Sequence, residues 1–123
     1  MSERHPIIAI TGSSGAGTTS VTHTFEAIFR REGVTAALIE GDSFHRYDRV
    51  EMKRRSLEAE QAGNRNFSHF GPENNLFAEL EQLFRAYGEC GSGRTRKYLH
   101  DAEEAAPWNQ EPGTFTPDRK SVV

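Results

Sequence analysis

Gly12-Ser13-Ser14-Gly15-Ala16-Gly17-Thr18-Thr19 limits the fold of this chain more tightly than any other stretch. Its spacing is glycine, four residues, glycine, one residue, hydroxyl, the pattern of a phosphate-binding loop. Glycines let the backbone take positive φ and approach phosphate oxygens. Successive N–H groups then form an anion cradle, and a helix starting there adds the positive end of its dipole. The hydroxyl of Thr19 is placed for Mg²⁺. Before the loop, Pro6 to Thr11 (PIIAIT) reads as a strand buried on both faces. After it, Val21, Phe25, Ile28 and Phe29 stripe one face of a helix over 19–32, with Gly33 as its stop. Ala36 to Ile39 is a second strand-like run. Strand, loop, helix and strand spell a βαβ unit with a right-handed crossover, hence an α/β fold on a parallel sheet. So relaxed a pattern arises by chance in about one chain of this length in a hundred, so its placement between strand and helix counts as signal. One residue departs from it. Thr18 stands where a lysine normally precedes the hydroxyl, so a charge-assisted bond of about 1.5–3 kcal/mol must come from elsewhere.

Further along, a charged surface helix is expected over 50–62, closed by Gly63. The clearest helix spans 73–87, with Leu76, Phe77, Leu80, Leu83, Phe84 and Tyr87 on one face and Gly88 as stop. Gly88 to Gly93 reads as a turn that holds Cys90, and Arg96 to His100 as a strand. Beyond Asp101 the chain is acidic, then rich in Pro and Gly, with no convincing element.

The 123 residues suffice for one domain or part of one. A net charge of −3 argues against a non-specific nucleic-acid binder, which needs a basic surplus. No apolar run is long enough to span a membrane. The polar Met1–Pro6 start does not read as a signal peptide. A single cysteine, Cys90, excludes an internal disulfide and favours a reducing, cytoplasmic compartment. His5, His23 and His69 lack metal-ligand spacing and read as structural or surface residues.

Glu40 to Arg49 holds Gly41, Asp42, His45, Arg46, Asp48 and Arg49. In open α/β sheets, ligands bind beyond the carboxyl ends of the strands. If the two apolar strands are neighbours, Asp42 shares a crevice with the glycine loop. There it can accept a proton from an attacking hydroxyl. His45 and Arg49 can hold an anionic substrate, Arg49 through a bidentate phosphate contact. The plainer alternative is a solvated loop in which Asp42 caps a turn and Arg49 pairs with Asp48.

Taken with HPIIAITGSSGAGTTSV, FRREGV, IEGDSFHRYDR, FSHFGPE, NLFAELEQLFRAYGE, GRTRKYLHD and PGTFT, the chain closely resembles the bacterial phosphoribulokinase family over about residues 1–116. The resemblance implies a P-loop kinase-like parallel sheet with flanking helices. It implies ATP-dependent, Mg²⁺-requiring phosphorylation of the 1-hydroxyl of ribulose 5-phosphate, which regenerates the carbon dioxide acceptor of the Calvin cycle. Asp42 matches the catalytic base. His45, Arg49 and His100 match substrate-side residues. Gly12, Ser13, Ser14, Gly15, Ala16, Gly17, Thr18, Thr19 and Ser20 match the ATP loop, with Thr19 nearest the magnesium. The bacterial branch tolerates a loop without the lysine. Plant relatives carry a redox cysteine where this chain has Ala16, so no thiol switch is expected. The full-length bacterial proteins are homo-oligomers controlled by metabolites such as NADH and AMP. Members are more than twice this long, and the tail 117–123 does not match what should follow. The chain therefore reads as a truncated or frameshifted fragment, with an incomplete sheet, a tendency to aggregate and no kinase activity by itself. The alternatives are a uridine-kinase-like nucleoside kinase, disfavoured by His45 and Arg49, and a non-catalytic nucleotide-binding fragment.

Overall fold

The computed structural model describes residues 3–13, 15–116 and 120–122, the last three as backbone alone. Helix α1 spans Thr18–Arg31 and α2 spans Arg49–Gln61, each within one residue of expectation. Helix α3 spans Phe77–Cys90, β1 is Gly93–Thr95, α4 is the single turn Ala102–Ala105, and β2 is Lys120–Val122. Three 3₁₀ turns join them at Gly41–Phe44, Pro72–Asn74 and Ala106–Trp108.

Asp48 caps α2 by accepting the Glu51 N–H at 2.9 Å, and Asp101 caps α4 by accepting the Glu104 N–H at 2.8 Å. Both are Asp-x-x-Glu starts, which satisfy an otherwise orphaned donor and contribute about 1 kcal/mol. Helix α3 begins later than its apolar stripe suggests. Asn75 is extended and bridges His45 across an isolated antiparallel pair. Its side chain bonds local carbonyls, an alternative to helix that amides readily take. Nor does Gly88 end α3. The helix runs to the exposed Cys90, which closes it rather than lying in a turn, and Gly91 supplies the left-handed cap.

The buried centre comprises Phe44, Met52, Leu83, Leu99 and Ala105, with polar Ser43, Asn74, Asn75 and Thr116 among them. It lies where α2, α3, the 41–44 turn and the 96–116 segment meet, not under the first expected strand. Leu99 is fully enclosed, its N–H on Thr114 O at 2.9 Å and its carbonyl accepting from Gly113 N at 2.6 Å.

Three expectations are corrected here. Among the described residues, Pro6–Thr11 and Ala36–Ile39 form no β-bridge, and the only strand pair is β1 with β2, antiparallel. A strand buried on both faces of a parallel sheet needs paired neighbours and a covering layer. Here Ile8, Val34 and Leu38 are exposed, as are Val21 and Ile28 of α1, so no packed sheet closes over them. The expected strand 96–100 lies earlier, at Gly93–Thr95, and Tyr98 makes only an isolated bridge to Phe115. The segment after Asp101, expected to lack structure, supplies α4, a 3₁₀ turn and β2. Of the tail 117–123, residues 117–119 and 123 lie outside the described residues. No described helix is long and apolar enough to cross a membrane.

Leu99→Ala removes the most enclosed side chain of this centre. It should cost about 2–5 kcal/mol, from lost transfer energy plus a cavity. Urea unfolding checks it. A loss below about 1 kcal/mol would place the stabilising core elsewhere.

Candidate active site

Asp42, His45, Arg49 and His100 come from three separate segments, and the structure brings all four together. Asp42 sits in the 3₁₀ turn after Glu40. Its Oδ1 lies 3.3 Å from His45 Nε2 and its Oδ2 3.5 Å from His100 Nε2. His45 Nδ1 stands 2.8 Å from Asn75 Oδ1. Asn75 Nδ2 donates to the carbonyls of His69 and Gly71, which leaves Oδ1 facing the imidazole. Glu104 Oε2 lies 3.2 Å from His100 Nδ1. The result is a chain of polar groups, Asn75–His45–Asp42–His100–Glu104, centred on one carboxylate.

The electrostatics follow from this order. The hydrogen bond from His45 pulls Asp42 below its ordinary value of 3.8, against partial burial and with help from His100. The bond to Asp42 raises His45 above its ordinary 6.5, against burial and the charge of Arg96. Burial disfavours the His100 cation, but hydrogen bonds to Glu104 and Asp42 outweigh it, so His100 is raised too. The main-chain N–H of His100 in turn lowers Glu104. Near neutral pH this places an anion between two groups biased towards the cation.

Arg49 starts α2, with its N–H on Gly113 O at 2.8 Å. Its guanidinium donates to Tyr98 OH at 3.2 Å and to the His100 carbonyl at 2.7 Å. Further N–H groups stay available to an anion. Asp48 is engaged as the α2 cap, so the alternative Arg49–Asp48 pair is not what forms. Gly113 permits this docking. It has φ 82°, and a Cβ there would lie 2.7 Å from Arg49 Cβ.

Beside the cluster opens a cleft of about 430 Å³, lined among others by His45, Tyr47, Arg49, Lys53, His69 and Tyr98. Sequence reasoning missed Lys53, although its signal was present: it follows Arg49 by four residues, on the same face of α2. Glu104 was missed too, its unused signal being the Asp101-x-x-Glu104 spacing. Asn75 and Tyr98 carried no local signal. Arg96 was missed as well. It is half-buried, donates to the carbonyls of Ser43 and His45, and lies 3.7 Å from the Phe115 ring centroid. Burial pulls it below the usual arginine range.

The glycine loop forms a separate structure. Gly15 and Gly17 take φ of 81° and 87°, and Ala16 N donates to Ser13 O at 3.0 Å. Gly17 starts α1 without a side-chain cap, so the first-turn N–H groups have no side-chain acceptor. Thr19 and Ser20 are exposed there. A Cβ on Gly12 would meet Ala16 and Thr18 at 3.2 Å, as expected of a loop that must stay close to its own turn. Thr18 lines an apolar hollow with Ile8, Ile10, Val21 and Phe25. Backbone donors at a helix start fit a phosphate, and the exposed Thr19 hydroxyl fits a magnesium ion. Ser14 lies outside the described residues.

Residues 7–116 match the model of the phosphoribulokinase/uridine kinase family. The chain is 75% identical over 116 residues to the chromosomal phosphoribulokinase of Cupriavidus necator, covering 94% of this chain and 40% of that protein. It is 65% identical, with the same coverage, to a phosphoribulokinase of Nitrobacter vulgaris. A solved phosphoribulokinase from Rhodobacter spheroides aligns with 99% of this chain and 40% of its own, at TM-score 0.82 and 49% identity. The chain thus spans about 40% of the length of these relatives.

Asp42→Asn removes the central anion. The contribution of a lowered carboxylate is complete above its ordinary value of 3.8 and is lost as pH falls through the lower native value. The contribution of raised histidines is complete below 6.5 and is lost as pH rises through their higher native values. The stability gap between parent and Asp42→Asn should therefore be widest between pH 3.8 and 6.5 and narrow on both sides. Asp42 is over half exposed, so the gap should stay within about 1 kcal/mol. Thermal melts across pH check this, and a gap that grows above pH 8 would contradict the assigned pairings.

Proposed function

The chain belongs to the phosphoribulokinase/uridine kinase family, and on that basis we propose that its site serves ATP-dependent phosphorylation of the 1-hydroxyl of ribulose 5-phosphate. The observation that carries the proposal is the ionised Asp42 between two imidazoles, beside a cleft that bears Arg49 and Lys53. A sugar phosphate needs both parts: an acceptor for the hydroxyl proton, and cations for the phosphate at its other end.

Asp42 accepts the hydroxyl proton as the new P–O bond forms. A carboxylate lowered by two histidines is a weak base, but phosphoryl transfer proceeds through a loose transition state in which positioning outweighs base strength. An anionic, fixed Asp42 meets that need. Arg49 holds the substrate phosphate with the N–H groups that Tyr98 and His100 leave free, and His45 and His100 add positive charge beside Asp42. Bound ATP with Mg²⁺ supplies the γ-phosphoryl group and neutralises its developing charge. For it, Gly12–Ser20 would provide backbone donors and Thr19 the hydroxyl next to the metal. Thr18 offers no charge, so the cation usual at that position must come from another part of the active protein.

The test is a chimaera in which residues 7–116 replace the matching segment of the Cupriavidus necator chromosomal protein. It should turn over ribulose 5-phosphate with ATP in a coupled ADP-release assay and leave uridine untouched. The isolated 123-residue chain should show no turnover. Asp42→Asn in the chimaera should lower kcat by about 10²–10⁴-fold with KM for ATP little changed. Arg49→Ala should raise KM for ribulose 5-phosphate and leave that for ATP nearly alone. Preference for uridine, or a loss under about tenfold for Asp42→Asn, would overturn the assignment.

A further inference from the structure

Helices α2 and α4 start with the same Asp-x-x-Glu box, yet their glutamates do different things. Glu51 turns outward to Arg54 and Arg55. Glu104 turns to His100, accepting from its main-chain N–H at 3.1 Å and meeting its ring Nδ1 at 3.2 Å, both through Oε2. We propose that Glu104 is a positioning residue that keeps the His100 ring protonated on both nitrogens and aimed at Asp42. The proposal rests on the roles given above to Asp42 and His100.

The geometry demands two protons on that ring. Nε2 faces Asp42 Oδ2 and Nδ1 faces Glu104 Oε2. An ionised carboxylate only accepts, and a neutral imidazole has a single N–H. Neutral His100 would therefore turn a lone pair towards one carboxylate, whereas the imidazolium donates to both. The remaining neighbours agree. Glu40 adds negative charge nearby, and the Tyr98 ring meets the imidazole edge-on at 4.8 Å. The Arg49 guanidinium turns one N–H to the His100 carbonyl and none to the ring. His45 differs, since the partner of its Nδ1 is the neutral amide of Asn75. The two imidazoles beside Asp42 are thus unequal, and His100 is the one backed by a second anion. A cation held there suits an anionic sugar phosphate.

The experiment uses the chimaera carrying residues 7–116 with ¹³C-labelled histidine, each ring titrated by NMR, and His100 assigned through its loss in His100→Asn. Glu104→Gln keeps an acceptor for the main-chain N–H but removes the charge. The His100 midpoint should fall, while a circular dichroism spectrum unchanged from the parent reports an intact fold. Glu104→Asp restores the charge and should bring the midpoint back towards the parent value. Ribulose 5-phosphate affinity, read by calorimetry, should then be lost in Glu104→Gln at a pH between the two measured His100 midpoints but nearly retained at a pH below both. An unchanged His100 midpoint, or an equal loss of affinity at both pH values, would overturn the proposal. If the midpoint falls as expected but the parent chimaera binds no ribulose 5-phosphate at either pH, the positioning role stands and the substrate assignment fails.

Discussion

Arg96 binds together parts of the chain that are far apart in sequence. Its guanidinium donates to the carbonyls of Ser43 and His45 from about fifty residues away and lies on the Phe115 ring. Tyr98 N–H reinforces the same seam by donating to Ser43 Oγ at 3.1 Å. A half-buried cation is costly unless its donors are used, and main-chain carbonyls at the end of a tight turn need donors. Each side thus meets the other's requirement. Because the seam lies directly behind Asp42 and His45, it fixes where they stand relative to His100, two residues beyond Tyr98.

The segment around Gly113 serves the opposite face of the site. Its carbonyl takes the first N–H of α2, and its missing side chain lets Arg49 pack against it. Arg49 therefore reaches the cleft from a helix start that is held at both ends, by the Asp48 cap and by the 113 turn. Polar groups close to the site are mostly committed to fixed partners, which gives the preorganisation that a positioning-dominated reaction requires.

The glycine loop and the Asp42 cluster stand on different footings. The loop is local: positive φ at Gly15 and Gly17, an uncapped helix start and a helix within one residue of expectation all follow from nearby residues. The flanking apolar runs are the opposite case. PIIAIT carries the composition of a buried parallel strand, but pairing is a property of neighbours, and the described residues supply none. The solved relative that follows the path of nearly this whole chain is two and a half times as long.

What the sequence determined by itself was whatever depends on short separations. The phosphate loop, α1, α2 and the Asp-x-x-Glu starts are set by spacing and side-chain chemistry within a few residues. So was the identity of Asp42, His45, Arg49 and His100 as candidates, through a loop position and a family resemblance. Only the tertiary structure decided their partners. Asn75 leaves the helical pattern because its amide has better acceptors, and this delays α3. Arg96 gains its role through contacts between segments, Glu104 gains its role only because neighbouring His100 is brought beside Asp42, and Arg49 turns to His100 rather than Asp48. The physical reason is that hydrogen bonds between distant segments depend on the packing that brings their ends together, and no local spacing encodes that packing.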